Sequence, residues 1–263
     1  MRALVLDFDG VIADSSRESY AVARRTYLEL RPASPLAARP ADAVYREFLA
    51  AMPLGNRAED YGVVLGAIER EVELADQAAY DRLRAAEDAG WLADYHERYY
   101  EVRAALAHED PAGWLALLPA YPGFVDVLQR RAGELPYAIA TSRDRRSVDA
   151  LLEHYGIAGL FPADRILDKQ TGARKTAHLA RLRERLDLSF SDLTFVDDKL
   201  NHLEDVARLG VRCALAAWGY NGARERGRAR ERGFLVCAAA DAEPQLFGPS
   251  DRWHNRAFTR SRS

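Results

Sequence analysis

Two aspartates at alternate positions, Asp7 and Asp9, follow four apolar residues near the start of the chain, in the stretch ALVLDFDG (3–10). A solvated turn accounts for one such residue. Two of them, with Gly10 directly behind to permit a tight reversal, make a carboxylate pair at the end of a buried strand. A second pair, Asp197-Asp198, ends the apolar run LTFVDD (193–198), and Thr141-Ser142 ends YAIATS (137–142). Clustered buried carboxylates need a compensating cation. Lys175, on or just before a helix ahead of the LTFVDD run, supplies part of it, and a divalent metal would supply the rest. Carboxylates and hydroxyls with one lysine suit Mg²⁺, a hard cation that takes one or two carboxylates and keeps several waters. A calcium loop fits DFDGVIADSSRE (7–18) poorly, because Val11 and Ile12 stand where a ligand oxygen and the turn glycine belong.

The elements that must hold these residues can be read from the hydrophobic pattern. Buried strands are expected at 3–8, 137–142, 193–198 and 212–218, with a weaker one at 234–238. Helical patterns separate them: Ser147 to Tyr155, Thr176 to Leu186 and Leu203 to Leu209. Strands apolar on both faces that alternate with helices imply an α/β fold with a parallel, doubly wound sheet. In such a sheet ligands bind beyond the carboxyl ends of the strands, where the acids and hydroxyls collect. The long interval between the first two strands contains no convincing strand. Ser15 with Glu18 predicts a capping box for a helix to about Leu30, and Pro32, Pro35 and Pro40 break the chain. Further helices are expected at Glu59–Leu74, Gln77–Glu87 and Trp91–Leu106. The last places Trp91, Tyr95, Tyr99, Val102 and Leu106 on one face, and Asp110-Pro111 opens another helix as N-cap and first residue.

With 263 residues the chain can bury a large core in one domain carrying an insertion, or in two domains. A net charge of −3 argues against a nucleic-acid or polyanion partner. The apolar N-terminal run is too short for a signal peptide or a membrane span, so the cytoplasm is the expected location. The two cysteines, Cys213 and Cys237, lie in apolar stretches and read as small buried thiols. Of 37 basic residues only three are lysines, at 169, 175 and 199. A lysine that persists in so Arg-rich a chain points to a place where a compact ammonium is needed and a planar guanidinium is not tolerated. Chance is the competing explanation.

Taken in order, DFDGV (7–11), the apolar run ending in Thr141, Lys175 and FVDD (195–198) resemble the haloacid dehalogenase (HAD) superfamily, in particular its phosphatases with a helical C1-type cap. The resemblance covers residues 1–15 and about 119–220. It implies a Rossmann-like catalytic core formed by 1–15 and 119–263, with 16–118 as an all-helical cap. It implies that Asp7 is the nucleophile and forms an aspartyl-phosphate. Asp9 would protonate the leaving alkoxide and then deprotonate the hydrolytic water. Thr141 would bond the phosphoryl oxygens, and Lys175 would hold the phosphate and steady Asp7, with Lys169 as the less well-spaced competitor. Mg²⁺ would be held by Asp7, the main-chain carbonyl of Asp9 and Asp198, with Asp197 binding directly or orienting a water. Relatives often carry another Asp four residues further on. Here that position is His202, either a helix-start residue or a partner of Asp197.

The activity this implies is Mg²⁺-dependent hydrolysis of a small phosphorylated metabolite. A phosphotransferase or mutase on the same fold, and a non-catalytic phosphate-binding module, are the alternatives. Relatives acting on halides lack the second Asp of the first motif, and phosphonate-cleaving relatives use a cap lysine, of which 16–118 has none. Candidate substrate contacts are Gly10, Ser142 and Arg143, with Arg57 in the candidate cap loop PLGNRAEDYG (53–62). An exposed Arg at a helix start accounts for Arg57 equally well.

Overall fold

The structure, a computed structural model, describes residues 1–55, 57–172 and 174–248. The chain divides into two compact units. One comprises Met1–Asp14 and the segment from Ala120 onward, and the other comprises Ser15–Pro119. Asn56 of the candidate cap loop lies outside the described residues.

The first unit is a six-stranded sheet of β1 (Ala3–Leu6), β2 (Tyr137–Ala140), β3 (Ile166–Leu167), β4 (Leu193–Asp197), β5 (Arg212–Ala216) and β6 (Leu235–Cys237). Every pairing is parallel, in the order β3-β2-β1-β4-β5-β6. Helices of the same unit are α7 (Pro122–Arg130), α8 (Arg145–His154), α9 (Lys175–Leu186), α10 (Leu200–Ala207), α11 (Ala223–Glu231) and α12 (Ala242–Phe247). Parallel strands buried on both faces must be apolar at every position, and the four residues of β1 are fully buried. Ala3 and Val5 share a core cluster with Phe195 of β4, Leu179 and Leu182 of α9, and Leu203 and Val206 of α10. Leu4 and Leu6, alternate residues, supply the other face.

Strand ends are shorter than the apolar runs suggested, because the last residues of each run leave the ladder to enter the loops that carry the chemistry. The strand β3 was not legible. It is two residues long, pairs only with β2, and lacks the length that a periodic signal needs.

The second unit is helical throughout: α1 (Ser16–Leu30), α2 (Ala41–Ala51), α3 (Ala58–Glu69), α4 (Gln77–Ala86), α5 (Ala89–Glu109) and α6 (Pro111–Ala116). Helices α1, α3 and α5 pack together, and Tyr95 at their centre is fully buried with its hydroxyl donating to the Ala23 carbonyl at 2.9 Å. The expected capping box at α1 is not formed. Ser15 makes no side-chain cap, and Glu18 instead accepts from Arg103 Nε at 2.7 Å and Trp114 Nε1 at 3.1 Å. A buried carboxylate with two strong donors outcompetes an end-of-helix amide. The expected Asp110 cap is present, accepting from the Gly113 amide at 2.9 Å. The helix α3 stops earlier than Leu74, because Glu71 adopts a left-handed φ of 53°. The helix α2 was missed among the prolines. No helix among the described residues is long and apolar enough to cross a membrane.

Candidate active site

Adjacency of β2, β1 and β4 brings the sequence candidates together. Leu6 pairs with Ile139 on one side and Val196 on the other. The next residue along each strand is therefore Asp7, Ala140 or Asp197, and all three reach the carboxyl edge at one level. Thr141 follows immediately, its amide donating to the Leu167 carbonyl at 2.8 Å and its hydroxyl oxygen accepting from the Arg143 amide at 3.1 Å. Ser142 beside it is exposed.

Lys175 opens α9 and turns inward. Its ammonium lies 2.7 Å from Asp7 Oδ1 and 3.7 Å from Asp197 Oδ2, and donates to the Ala140 carbonyl at 2.7 Å. Burial disfavours that charge, but Asp7 and Asp197 outweigh it and raise the lysine's pKa. Lys169 lies on the surface. The loop that delivers Lys175 is tied down by Asp168, which accepts from the Gln170 and Thr171 amides. The buried His178 adds to this, its Nε2 lying 2.8 Å from the Gly172 carbonyl. A carbonyl only accepts, so Nε2 carries the proton. Neither Asp168 nor His178 was legible from sequence, since each acts through a local loop geometry.

Asp197 is fully buried and fully partnered. Oδ1 accepts from the Lys199 amide at 2.8 Å, and His202 Nδ1 lies 3.0 Å from Oδ2. The helix α10 begins at Leu200 rather than Leu203, which places His202 in its first turn, against Asp197. Burial pushes against the Asp197 charge, yet His202 and Lys175 hold its pKa below the usual carboxylate range. His202 is raised in turn, because Asp197 outweighs its burial. Both readings of His202 hold: it is a helix-start residue and a partner of Asp197.

Asp198 has partners of its own. Its Oδ2 accepts from the Tyr220 amide at 2.9 Å, and a side chain at Gly10 would place Cβ 2.5 Å from its Cγ. Gly10 has a φ of +78°, and Gly219 would likewise bring a Cβ to 2.3 Å from the Gly10 carbonyl oxygen. Both glycines are thus fixed by close approach around Asp198. Asp9 is paired with Arg143. That guanidinium donates from Nε at 3.0 and 3.1 Å and from Nη2 at 2.7 Å. Arg143, a candidate substrate contact from the sequence, is paired in the structure with Asp9. Arg57 belongs to the helical unit, where its side chain is 71% exposed and lies 3.7 Å from Glu59.

Burial, the leading cause, drives the Asp7 carboxyl up to about 7 against the pull of Lys175, and the Asp198 carboxyl up to about 6. One ammonium is therefore not enough to hold this set of acids ionised. A divalent cation fits that deficit, and oxygen donors suit a hard one. Donor atoms of Asp7, Asp197 and His202 come within 4.8 Å of one another. The Lys175 ammonium already lies among them. Asp197 is thus already compensated by Lys175 and His202, which leaves Asp7 and Asp198, the latter beside the Gly10 turn, as the acids still short of a countercharge.

The sequence model of the haloacid dehalogenase-like hydrolases matches residues 1–210. The chain belongs to this family. No curated protein matches it. Among solved structures, this haloacid dehalogenase-like hydrolase is similar to a family protein from Streptococcus pneumoniae (13% identity, TM-score 0.63, covering 94% of this chain and 98% of that one). It is also similar to two proteins provisionally named phosphoglycolate phosphatases. One, from Lactobacillus delbrueckii, has 13% identity and a TM-score of 0.68, covering 95% of this chain and 100% of that one. The other, from Haemophilus somnus, has 17% identity and a TM-score of 0.64, covering 94% and 98%. At such identities the likeness is one of fold. It extends to the parallel sheet with a helical segment inserted between its first two strands.

Proposed function

We propose that this hydrolase cleaves a small phosphate monoester with Mg²⁺, through an aspartyl-phosphate on Asp7. The observation that carries the reading is the buried Asp7–Lys175 pair at the end of the central strand, flanked by Thr141 on one neighbouring strand and Asp197 on the other. Asp7 attacks phosphorus as the ester oxygen leaves, and Asp9 gives that oxygen a proton. Water then attacks the phosphorus, loses its proton to Asp9, and releases phosphate and the Asp7 carboxylate. Lys175 and Thr141 hold phosphoryl oxygens throughout, and Lys175 keeps Asp7 oriented. Phosphoryl transfer is mainly positioning and charge stabilisation, which a rigid strand edge supplies. Asp7, Asp198 and the Asp9 carbonyl are the proposed ligands of Mg²⁺, with Asp197 binding directly or orienting a water. When bound, the ion would neutralise charge developing on the phosphoryl group.

The names of the two structural neighbours make 2-phosphoglycolate the first substrate to try, alongside sugar phosphates and p-nitrophenyl phosphate. Phosphate release that depends on added Mg²⁺ and disappears in a folded Asp7→Asn variant is the expected result. Release at a near-normal rate by that variant overturns the mechanism.

A further inference from the structure

Asp9 has a demanding task in the proposed reaction and little packing to help it. Its side chain remains 32% exposed, while the Arg143 side chain that grips it is only 2% exposed. The grip uses both carboxylate oxygens and two guanidinium nitrogens, with three contacts between 2.7 and 3.1 Å. Such a fork fixes the carboxylate plane as well as its position. Arg143 is itself rigid. Its amide bonds Thr141 Oγ1 at 3.1 Å, so it is tied to the end of β2 beside the strand that carries Asp7.

We propose that Arg143 is a positioning residue for Asp9, orienting its carboxyl group for proton transfer, and is not a substrate-binding arginine. This rests on the phosphatase reading given above. The arrangement in the structure is one in which Asp9 accepts on both oxygens. Donating a proton to a leaving group requires one oxygen to come off the fork, while the other contact keeps the group aimed.

The test compares p-nitrophenyl phosphate with phenyl phosphate, which have similar shape but differ in how much the leaving oxygen needs a proton. For Arg143→Gln the expected result is a fall in kcat/KM of about 10- to 100-fold on phenyl phosphate, a much smaller fall on p-nitrophenyl phosphate, and a KM within about threefold of wild type. Arg143→Lys should recover part of the loss, because it keeps the charge without the fork. In an Asp9→Asn background the Arg143→Gln change should cost no more than about twofold further, since the two act through one group. A raised KM with normal kcat means that Arg143 binds substrate and overturns the proposal. So does an equal loss in kcat/KM on both esters, since that ratio reports transfer to Asp7 and not hydrolysis of the shared intermediate, or full additivity with Asp9→Asn. A wild-type protein inert toward both esters with Mg²⁺ overturns the phosphatase reading itself and removes this role with it. An active wild type whose Arg143 variants behave normally overturns the role alone.

Discussion

Replacing Asp7 with Asn should make the metal-free protein more stable, even as it abolishes turnover. In the folded chain the Asp7 carboxyl is raised from 3.8 to about 7, with burial as the leading cause. Between those two values the folded state holds a proton that the unfolded chain has released. Stability therefore falls as pH rises through that window and levels off above it. At about 1.4 kcal/mol per unit the full span corresponds to ~4 kcal/mol. Asp197 and Asp198 share the same neighbourhood, so the part belonging to Asp7 alone is about 2–4 kcal/mol. An Asn resembles the protonated acid and has no such loss. Urea unfolding in EDTA at several pH values is the assay. Near pH 4 the variant and wild type should agree within about 1 kcal/mol, and above pH 7 the variant should be ahead by about 2–4 kcal/mol. Saturating Mg²⁺ should then stabilise the wild type more than the variant. Parallel pH curves, or a variant less stable than wild type at pH 8, would refute the claim that this acid is buried against its own charge.

Lys175→Arg should lower kcat by about 100-fold or more, because one nitrogen now serves Asp7 and the Ala140 carbonyl at 2.7 Å each and a wider group must displace one of them. Lys169→Arg and Lys199→Arg on the same substrate should stay near wild type, and the reverse order would mean that the lysine is misassigned. Gly219→Ala should destabilise the core unit by about 1–3 kcal/mol in thermal unfolding, since its Cβ would fall 2.3 Å from the Gly10 carbonyl oxygen and 2.4 Å from Asp198 Cβ. Cys213 and Cys237 are buried, with thiols pushed up to about 12 by burial. They should resist a thiol reagent at pH 8 until denaturant is added, and rapid labelling of the native protein would contradict their placement.

The carboxyl-edge residues were legible because parallel sheets impose a simple rule: an apolar run that ends in polar residues ends at the ligand edge. The rule located Asp7, Thr141 and Asp197 from pattern alone, while a resemblance supplied their chemical roles. It could not say which carboxylate of the Asp197-Asp198 pair turns toward Lys175. That depends on which face of the sheet α9 covers: Asp197, two residues beyond Phe195, lies on the face where Leu179 and Leu182 of α9 pack. The Arg143–Asp9 fork was equally hidden. Its partners are 134 positions apart, and an Arg beside a phosphate-binding motif invites a ligand before it invites a neighbour. The box expected at Ser15 and Glu18 failed for a related reason. A local motif was read correctly as a pattern, but distant donors, Arg103 and Trp114, claimed the carboxylate.

The central strand also carries a consequence for how the chain finds its fold. β1 is made of the third to sixth residues, yet both strands that flank it come much later, beyond the whole helical insertion. If everything between Ala13 and Ala120, which face each other in an isolated bridge, were flexible, closing it would cost on the order of 4 kcal/mol in chain entropy. A helical unit rich in local contacts can form quickly. Once formed, it replaces a floppy loop of about a hundred residues with a body of fixed end-to-end distance, and much of that cost is gone before β1 meets β2. The insertion would then act as a folding scaffold for the sheet it interrupts. Its early collapse, more than any property of the strands, would set the rate at which the catalytic edge assembles.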